Sequence, residues 1–259
     1  MVVLGYPDDA LADTERALSV AREAQHLATL VYVINFSIWS HIHCGNYSAA
    51  NALVDEYAPL QDRLGSSFWK GWGMMQRGCL SALTGNALEA VQTITAGVEF
   101  LRSTETTMWM PLFLSYLAKA NAEIGQFDEA STKIGEAMTT MRTTKENWCE
   151  AEINRVAGEI ALQGIEPNAT KAEACFATAL EIARKQKAKS WELRAATSMA
   201  RLLCLQGKRA PARDILAPIY GWFTEGLDTL DVREAELLLK KLAQDQPINP
   251  TSSLSTEAS

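Results

Sequence analysis

A glycine recurs every 40 residues through the first half of this chain, and no other feature limits the possible folds as strongly. The series comprises Gly5, Gly45, Gly85 and Gly125, and Gly164 and Gly207 continue it with slight drift. An alanine follows each of the first four glycines by five residues, and tryptophans recur in step at Trp69, Trp109, Trp148 and Trp191. Internal periods of about 20 to 50 residues indicate a repeat architecture.

Each repeat has the pattern of two amphipathic helices joined by the glycine turn. In the segment 127–143, the small or apolar residues Ala130, Ile134, Ala137 and Met141 fall on one face of a helix. Its partner helix is predicted at 107–123. No sustained alternation of β-branched residues indicates a strand. The sequence therefore predicts an all-α fold, a right-handed α-solenoid of antiparallel helix pairs.

Small residues at fixed places predict close helix crossings, because two backbones can approach only where the side chains are small. The first helices carry Gly78, Ala118, Ala157 and Ala200 there, and the second helices carry Ala10, Ala50, Ala90, Ala130, Ala172 and Ala212. The order of these residues resembles the tetratricopeptide repeat (TPR). A small residue in the first helix is followed twelve positions later by an alanine, then by a bulky residue and by another small one. The segment from Ala118 to Ala137 shows this best. The period exceeds the usual length of about 34 residues, so the resemblance is to a long-helix variant.

A second resemblance spans nearly the whole chain and is sharpest over 170–242. The segments Lys189-Ser-Trp-Glu-Leu-Arg-Ala-Ala-Thr-Ser-Met-Ala-Arg-Leu, Gln206-Gly-Lys and Ala217-Pro-Ile-Tyr-Gly-Trp-Phe-Thr-Glu-Gly carry it. They resemble the C-terminal TPR region of bacterial adenylate or guanylate cyclase and STAND ATPase-type regulatory proteins. The sequence has neither a GxxxxGK[ST] loop nor a cyclase metal-site motif, so the resemblance implies the regulatory arm alone.

We expect a single solenoid domain over residues 1–243 and a disordered tail over 244–259, which is rich in Pro, Ser and Thr. The domain begins in the middle of a repeat, at Leu4-Gly5-Tyr6-Pro7, and ends in a capping helix, Asp231–Leu242. Because the first helix of the first pair is missing, the helix at about 7–25 should leave an apolar strip open. The strip contains Leu11, Ala17, Leu18 and Ala21, and we expect the chain either to self-associate through residues 1–25 or to fray there.

Composition and charge exclude several other classes of function. The net charge is −7 and the sequence pI about 5.1, which argues against nucleic acid as a partner. The densest basic run, Arg184, Lys185, Lys187 and Lys189, lies at a predicted helix end, where cations meet the negative end of the helix dipole. Five scattered cysteines favour reduced thiols and a cytoplasmic protein, and no 18-residue apolar window predicts a membrane span.

No pattern in the sequence indicates catalysis, a cofactor or a metal site. A nucleophile with an accompanying base cannot be assembled from any known signature. His41 and His43 stand two residues apart on a predicted helix and point to different sides, so a shared metal is not expected. The chain is therefore predicted not to be an enzyme.

A protein- or peptide-binding groove is the function that the repeat pattern favours. First helices of TPR-like pairs line the concave face of the array, and mixed apolar and amide side chains suit an extended peptide. A small-molecule effector in the same groove is the alternative. Drift in the register would instead place several of these side chains in the core, and the periodic tryptophans favour packing between repeats over a ligand stripe. The candidate residues are Tyr32, Asn35, Trp39, Trp72, Met75, Ser115, Lys119, Asn154, Arg194 and Arg201.

Overall fold

The structure, a computed structural model, describes residues 1–164 and 166–244. These residues form twelve α-helices and a short 3-10 turn at Val2–Leu4, and they contain no strand. The all-α solenoid predicted from the sequence is confirmed. The helices are α1 (Pro7–Glu23), α2 (Leu27–His43), α3 (Tyr47–Leu64), α4 (Ser67–Leu83), α5 (Ala87–Ser103), α6 (Met110–Glu123), α7 (Phe127–Thr144), α8 (Glu150–Gln163), α9 (Ala169–Gln186), α10 (Lys189–Leu205), α11 (Arg209–Tyr220) and α12 (Leu230–Ala243).

Five helix pairs, α2 with α3 through α10 with α11, form the body of the array. Each helix packs on its neighbours in sequence, and α2, α4, α6, α8, α10 and α12 also contact one another in that order. We call these six the inner helices. Among the described residues, none of the twelve helices is long and apolar enough to cross a membrane.

The 40-residue glycine period has a local cause at the end of the inner helices. Gly45, Gly85, Gly125 and Gly207 all have left-handed backbone, with φ between +74° and +87°. Only glycine adopts this conformation without a Cβ penalty, so it ends one helix and turns the chain into the next. After Gly45, the side chain of Asn46 accepts a hydrogen bond from the Ala49 N–H at 3.4 Å and caps the N-terminus of α3.

The small residues lie at helix crossings, as the sequence predicts. A Cβ added to Gly78 in α4 would lie 2.6 Å from Ile94 Cγ1 in α5, and one added to Gly158 in α8 would lie 2.5 Å from Phe176 Cε1 in α9. Ala118, Ala130 and Ala200 are fully buried. Larger side chains at these places would force the helices of a pair apart.

The two ends of the array meet, so the solenoid closes on itself. The hydroxyl of Ser190 in α10 donates a hydrogen bond to the Val2 carbonyl at 2.6 Å. The ring of Tyr6 packs edge-on against Trp222 at 5.7 Å between centroids. A Cβ added to Gly226 would lie only 2.0 Å from Pro7 Cγ. We call this contact of residues 1–9 with residues 189–190 and 222–232 the seam.

Two carboxylates at the seam cap backbone groups across it. The Asp8 and Asp9 N–H groups, in the first turn of α1, donate to Glu225 Oε1 at 3.1 and 3.5 Å. The Gly226 N–H donates to Asp8 Oδ2 at 2.9 Å. Helix N-terminal N–H groups lack partners within their own helix, so α1 receives its cap from the far end of the array. This exchange resembles a capping box built from two distant segments.

The expected open strip on α1 does not form. Leu18 and Ala21 are buried, with 6% and 2% of their surface exposed, and Leu11 is half-buried. The reason is that α2 covers this face of α1 and the seam covers its first turn. Ala17 alone of the four is exposed.

Helix boundaries agree with the prediction at the C-terminal end and differ in the middle. The last helix, Leu230–Ala243, extends the predicted one by a residue at each end. The helix predicted to begin at 107 begins at Met110, because Trp109 is left-handed at φ 62° and Pro111 sets the first turn. Apart from Gln244, the tail predicted at 244–259 lies outside the described residues.

Candidate binding surface on the inner helices

One residue from each of five inner helices occupies the same register, and its exposure changes along the chain. The positions are Asn35, Met75, Ser115, Asn154 and Arg194. Asn35 and Met75 are fully buried and Ser115 is 2% exposed, whereas Asn154 is half-buried and the Arg194 side chain is 19% exposed. At this register the inner face is therefore sealed over α2, α4 and α6 and partly open over α8 and α10.

Four aromatic rings seal the first part of the inner face. Trp39 lies 5.0 Å from Trp109 and 5.7 Å from Phe113 between ring centroids, and Trp72 lies 5.3 and 5.6 Å from the same two rings. Trp39, Trp72 and Phe113 are buried. We call these four residues the aromatic cluster. It joins α2, α4 and the start of α6 through edge-on contacts that aromatic pairs favour.

Several polar atoms beside the aromatic cluster are enclosed without a hydrogen-bond partner. They are Asn35 Nδ2, Trp39 Nε1, Trp72 Nε1 and Gln76 Oε1. Asn35 and Gln76 are themselves joined, because Gln76 Nε2 donates to Asn35 Oδ1 at 2.7 Å and to the Asn35 carbonyl at 3.1 Å. Each amide thus keeps one unused group, a donor on Asn35 and an acceptor on Gln76. Enclosed polar groups of this kind are unfavourable unless another molecule pairs with them.

Charged side chains replace aromatic rings on the inner face of α8, α10 and α12. Glu152 accepts two hydrogen bonds from Arg155 at 2.8 Å each and a third contact from Arg194 at 2.8 Å. Arg194 also lies 3.7 Å from Asp231 in α12, and Arg155 pairs with Glu159. We call Glu152, Arg155, Glu159, Arg194 and Asp231 the ionic cluster. Guanidinium groups fit carboxylates in two-pronged geometry, which suits them to such partly enclosed pairs.

The ionic cluster changes the proton affinity of the groups around it. Burial alone would raise the pKa of Glu152, but the charges of Arg155 and Arg194 outweigh it and lower the pKa to about 2. Across from it on α2, burial lowers the pKa of His43 to about 4, with Arg194 adding to the effect and Glu152 opposing it. The Nε2 atom of His43 has no hydrogen-bond partner. Glu152 is therefore held as an anion and His43 as a neutral ring.

The ten predicted site residues divide between these two environments. Asn35, Trp39, Trp72, Met75 and Ser115 are buried in the core, so in this structure they do not line a groove that a peptide can enter. The reason is that the inner helices curve tightly enough for rings from α2 and α6 to touch. Tyr32 is 54% exposed, and its ring contacts Phe36 and Trp69. The accessible inner positions are Lys119, Asn154, Arg194 and Arg201.

The predicted packing role of the four periodic tryptophans between neighbouring repeats is confirmed. Trp109 lies 4.8 Å from Trp148, and Trp148 stacks on Trp191 at 5.5 Å. Trp69 in α4 contacts Tyr32 in α2 and its own neighbour Phe68. The repeated ring contacts tie neighbouring repeats together.

Sequence analysis missed Gln76, His43 and the ionic cluster apart from Arg194. A signal existed for Glu152 and Arg155, which stand three residues apart on a predicted helix, a spacing at which a carboxylate and a guanidinium can pair. Gln76 follows the predicted Met75 by one residue and gave no such signal. Among residues 1–164 and 166–244, no group of three or more His, Cys, Asp or Glu side chains is arranged to hold a metal ion.

Comparison with known proteins identifies a similar fold. No family model and no curated protein matches the chain. Among solved structures, the chain is similar to BtubC (BKLC) from P. vanneervenii, with a TM-score of 0.57 and 14% sequence identity over 98% of each chain. At this identity the likeness shows a shared α-helical architecture along the full length of both chains, and it shows the fold alone.

Proposed function

We propose that the chain is a non-catalytic scaffold that binds a protein or an extended peptide along its inner helices. On the resemblance described above, it serves as the regulatory arm of a signalling protein of the cyclase–ATPase kind. The observation that carries the proposal is the pair of unused amide groups on α2 and α4, Asn35 Nδ2 and Gln76 Oε1. Each residue of an extended peptide offers one carbonyl and one N–H, which are the partners that this donor and acceptor require.

The accessible part of the inner face supports the same proposal. The accessible residues Lys119, Asn154, Arg194 and Arg201 lie on three successive inner helices. Lys119 lies beside the Glu123 carboxylate, Arg194 beside Asp231 and Arg201 beside Glu234. Polar groups around an apolar centre are typical of a peptide-binding surface. A peptide first contacts this open part. It reaches Asn35 and Gln76 once α2 and α4 move apart, because these atoms are enclosed in the present conformation.

Calorimetric titration with an extended-peptide library tests the proposal. We expect peptides that bind the chain to bind the double variant Asn35→Ala/Arg201→Ala at least about tenfold more weakly, since each lost hydrogen bond to a charged or enclosed group contributes about 1 kcal/mol or more. Circular dichroism should show unchanged helicity. Arg22→Ala, which removes an exposed arginine from α1, is the control and should bind like the parent chain. Equal affinity of the double variant and the parent chain would place the peptide elsewhere.

A small-molecule effector is the second candidate, and the enclosure of the polar atoms around Trp39 and Trp72 favours it. A metabolite library titrated in parallel separates the two. Binding of metabolites and not of peptides, with loss in Asn35→Ala alone, would assign the site to an effector.

A further inference from the structure

We propose that a second binding surface lies outside the inner face, in a groove between α10 and α11 next to the seam, and that it takes an acidic peptide segment carrying a bulky apolar anchor. The groove has a volume of about 680 Å³. Its floor is one face of α11, and its wall comes from the α9–α10 turn. The lining residues that matter here are Arg184, Lys189, Ile215, Pro218, Ile219 and Trp222.

The apolar anchor of the peptide would pack on the ring of Trp222, which its neighbours hold in position. The indole is 36% exposed although it is a large apolar side chain. Tyr6 holds one edge of it, the Lys189 ammonium group lies 5.5 Å from its ring centre, and Gly5 approaches so closely that an added Cβ would lie 2.6 Å from the ring. A ring fixed on several sides and open on another loses little freedom on binding, which favours it as a binding hot spot.

Exposed apolar side chains concentrate around the same place. Leu4 and Tyr6 flank Gly5 and are 43% and 40% exposed, and the half-buried Ile215 continues the floor. Apolar residues that cluster at the surface beside charged ones mark interaction sites more often than singly scattered ones do. This surface exists because the seam brings residues 4–6 to Trp222.

The charge at the rim selects an acidic partner. Arg184, Lys185, Lys187 and Lys189 form the densest basic run in a chain whose net charge is −7. Arg184 Nε and Lys189 Nζ both bind the buried Glu192 carboxylate, at 2.9 and 2.7 Å, which holds the two cations side by side at the groove. The Arg184 side chain remains 54% exposed.

The helix dipole accounts for only part of this run. Arg184 and Lys185 lie in the last turn of α9, where cations are favourable. Lys189 is the first residue of α10, where the dipole disfavours a cation. Asp214, on the α11 side, opposes the run with a single carboxylate. Among the lining residues Glu192 and Asp214 balance Arg184 and Lys189, so the positive excess at the rim comes from Lys185 and Lys187, which are exposed beside the groove.

The length of the floor sets the size of the segment. Helix α11 has 12 residues, about 18 Å at 1.5 Å per residue. That length accommodates about five residues of an extended peptide at 3.3 Å each. The segment therefore places one anchor on Trp222 and acidic residues against Arg184 and Lys189.

Selection of a random dodecapeptide library on the folded full chain tests the proposal. Enriched peptides should carry Asp or Glu on both sides of an aromatic or aliphatic residue, and their binding should weaken as salt is added. Arg184→Gln and, separately, Ile215→Ala should each weaken those peptides about fivefold, the effect of losing roughly 1 kcal/mol of contact. Lys171→Gln removes an exposed cation from the other end of the same helix α9 and is the matched control, with affinity within about twofold of the parent.

Every other outcome overturns the proposal. Enriched peptides that are basic or neutral exclude the acidic partner. Peptides whose affinity is equal in Arg184→Gln and Lys171→Gln bind elsewhere, and loss only in Asn35→Ala/Arg201→Ala assigns them to the inner face. Failure to enrich any peptide, or binding to vesicles of phosphatidylserine in place of peptides, rules out a peptide groove. Because the groove variants leave the inner face intact, this result and the test of the proposed function fail or succeed independently.

Discussion

The inner helices use two different chemistries in one repeat framework. Over α2, α4 and α6 the inner face is closed by the aromatic cluster, and over α8, α10 and α12 the inner face carries the ionic cluster. Asn35 and Arg194 are equivalent positions, yet one is enclosed and the other is part-exposed. The repeat therefore fixes where a side chain lies along the array, and its neighbours across the inner face fix whether solvent reaches it.

The two regions should differ in how they respond to change. Ring packing depends on shape and fails when volume is lost. Paired charges depend on each member of the pair, because a buried charge without its partner is highly unfavourable. Conditions that alter charge should act on the ionic cluster and leave the aromatic cluster unaffected.

Trp72→Ala should give the largest effect. The ring is fully buried and contacts three other rings of the aromatic cluster. Its removal leaves a cavity, and we expect the free energy of unfolding to fall by about 4 kcal/mol in urea titrations. Tyr32→Ala, which removes a ring that is 54% exposed, is the control and should lose about 1 kcal/mol. Similar losses in the two variants would show that the aromatic cluster does not hold α2, α4 and α6 together.

Glu152→Gln should be next in size. The substitution leaves Arg155 and Arg194 without their shared counter-ion, and breaking a buried pair in this way costs about 3 kcal/mol. Glu56→Gln breaks the more exposed pair with Arg22 and should cost less than about 1 kcal/mol. Added salt should reduce the small loss more than the large one. If Glu152→Gln is as stable as the parent chain, the ionic cluster contributes nothing to the fold.

Acid should weaken the chain through His43 before it affects Glu152. The unfolded histidine takes up a proton near its ordinary pKa of 6.5, whereas the folded one does so only near 4, so stability is present above 6.5 and declines as the pH falls towards 4. Between pH 7 and 5 we expect a loss of about 1 to 2 kcal/mol, because one pKa unit corresponds to about 1.4 kcal/mol and the ring is only half-buried.

The variant His43→Gln isolates this contribution. It should flatten the decline between pH 7 and 5. Groups facing His43 are Arg194, Glu152 and Asp231, and Glu152 stays ionised in this window since its pKa is about 2. An unaltered pH profile in His43→Gln would assign the decline to other groups.

Arg201→Ala should give the smallest effect. Its pair with Glu234 has side chains that are 45% and 41% exposed, so water screens it. Thermal unfolding should place the loss below about 1 kcal/mol. A larger loss of stability would show that the Arg201–Glu234 pair stabilises the packing of α10 on α12 as the ionic cluster does.

Sequence reasoning reached the fold because its causes are local. The left-handed turn requires a glycine at Gly45, and the close helix crossing requires one at Gly78. Because small residues recur at equivalent positions of other repeats, the pattern can be recognised in the sequence. The enclosure of Asn35 involves Gln76 of α4, 41 residues further along the chain, and closure of the seam joins Asp8 to Gly226, more than 200 residues apart. Neither follows from the period, since a small change of angle per repeat accumulates along the array.

The seam changes how the two ends of the repeat array are stabilised. In a linear array each terminal repeat lacks a neighbour on one side, and the two ends fray independently. Here the hydrogen bonds of Asp8 with Glu225 and Gly226 bring the first and last repeats into contact, so each end of the array has a neighbour. Loosening the α11–α12 connection, which contains Glu225, would remove the cap of α1 in the same event. We therefore expect the two ends to protect each other from hydrogen exchange and to open together. A stack of local units thereby acquires the all-or-none behaviour of a single globular domain.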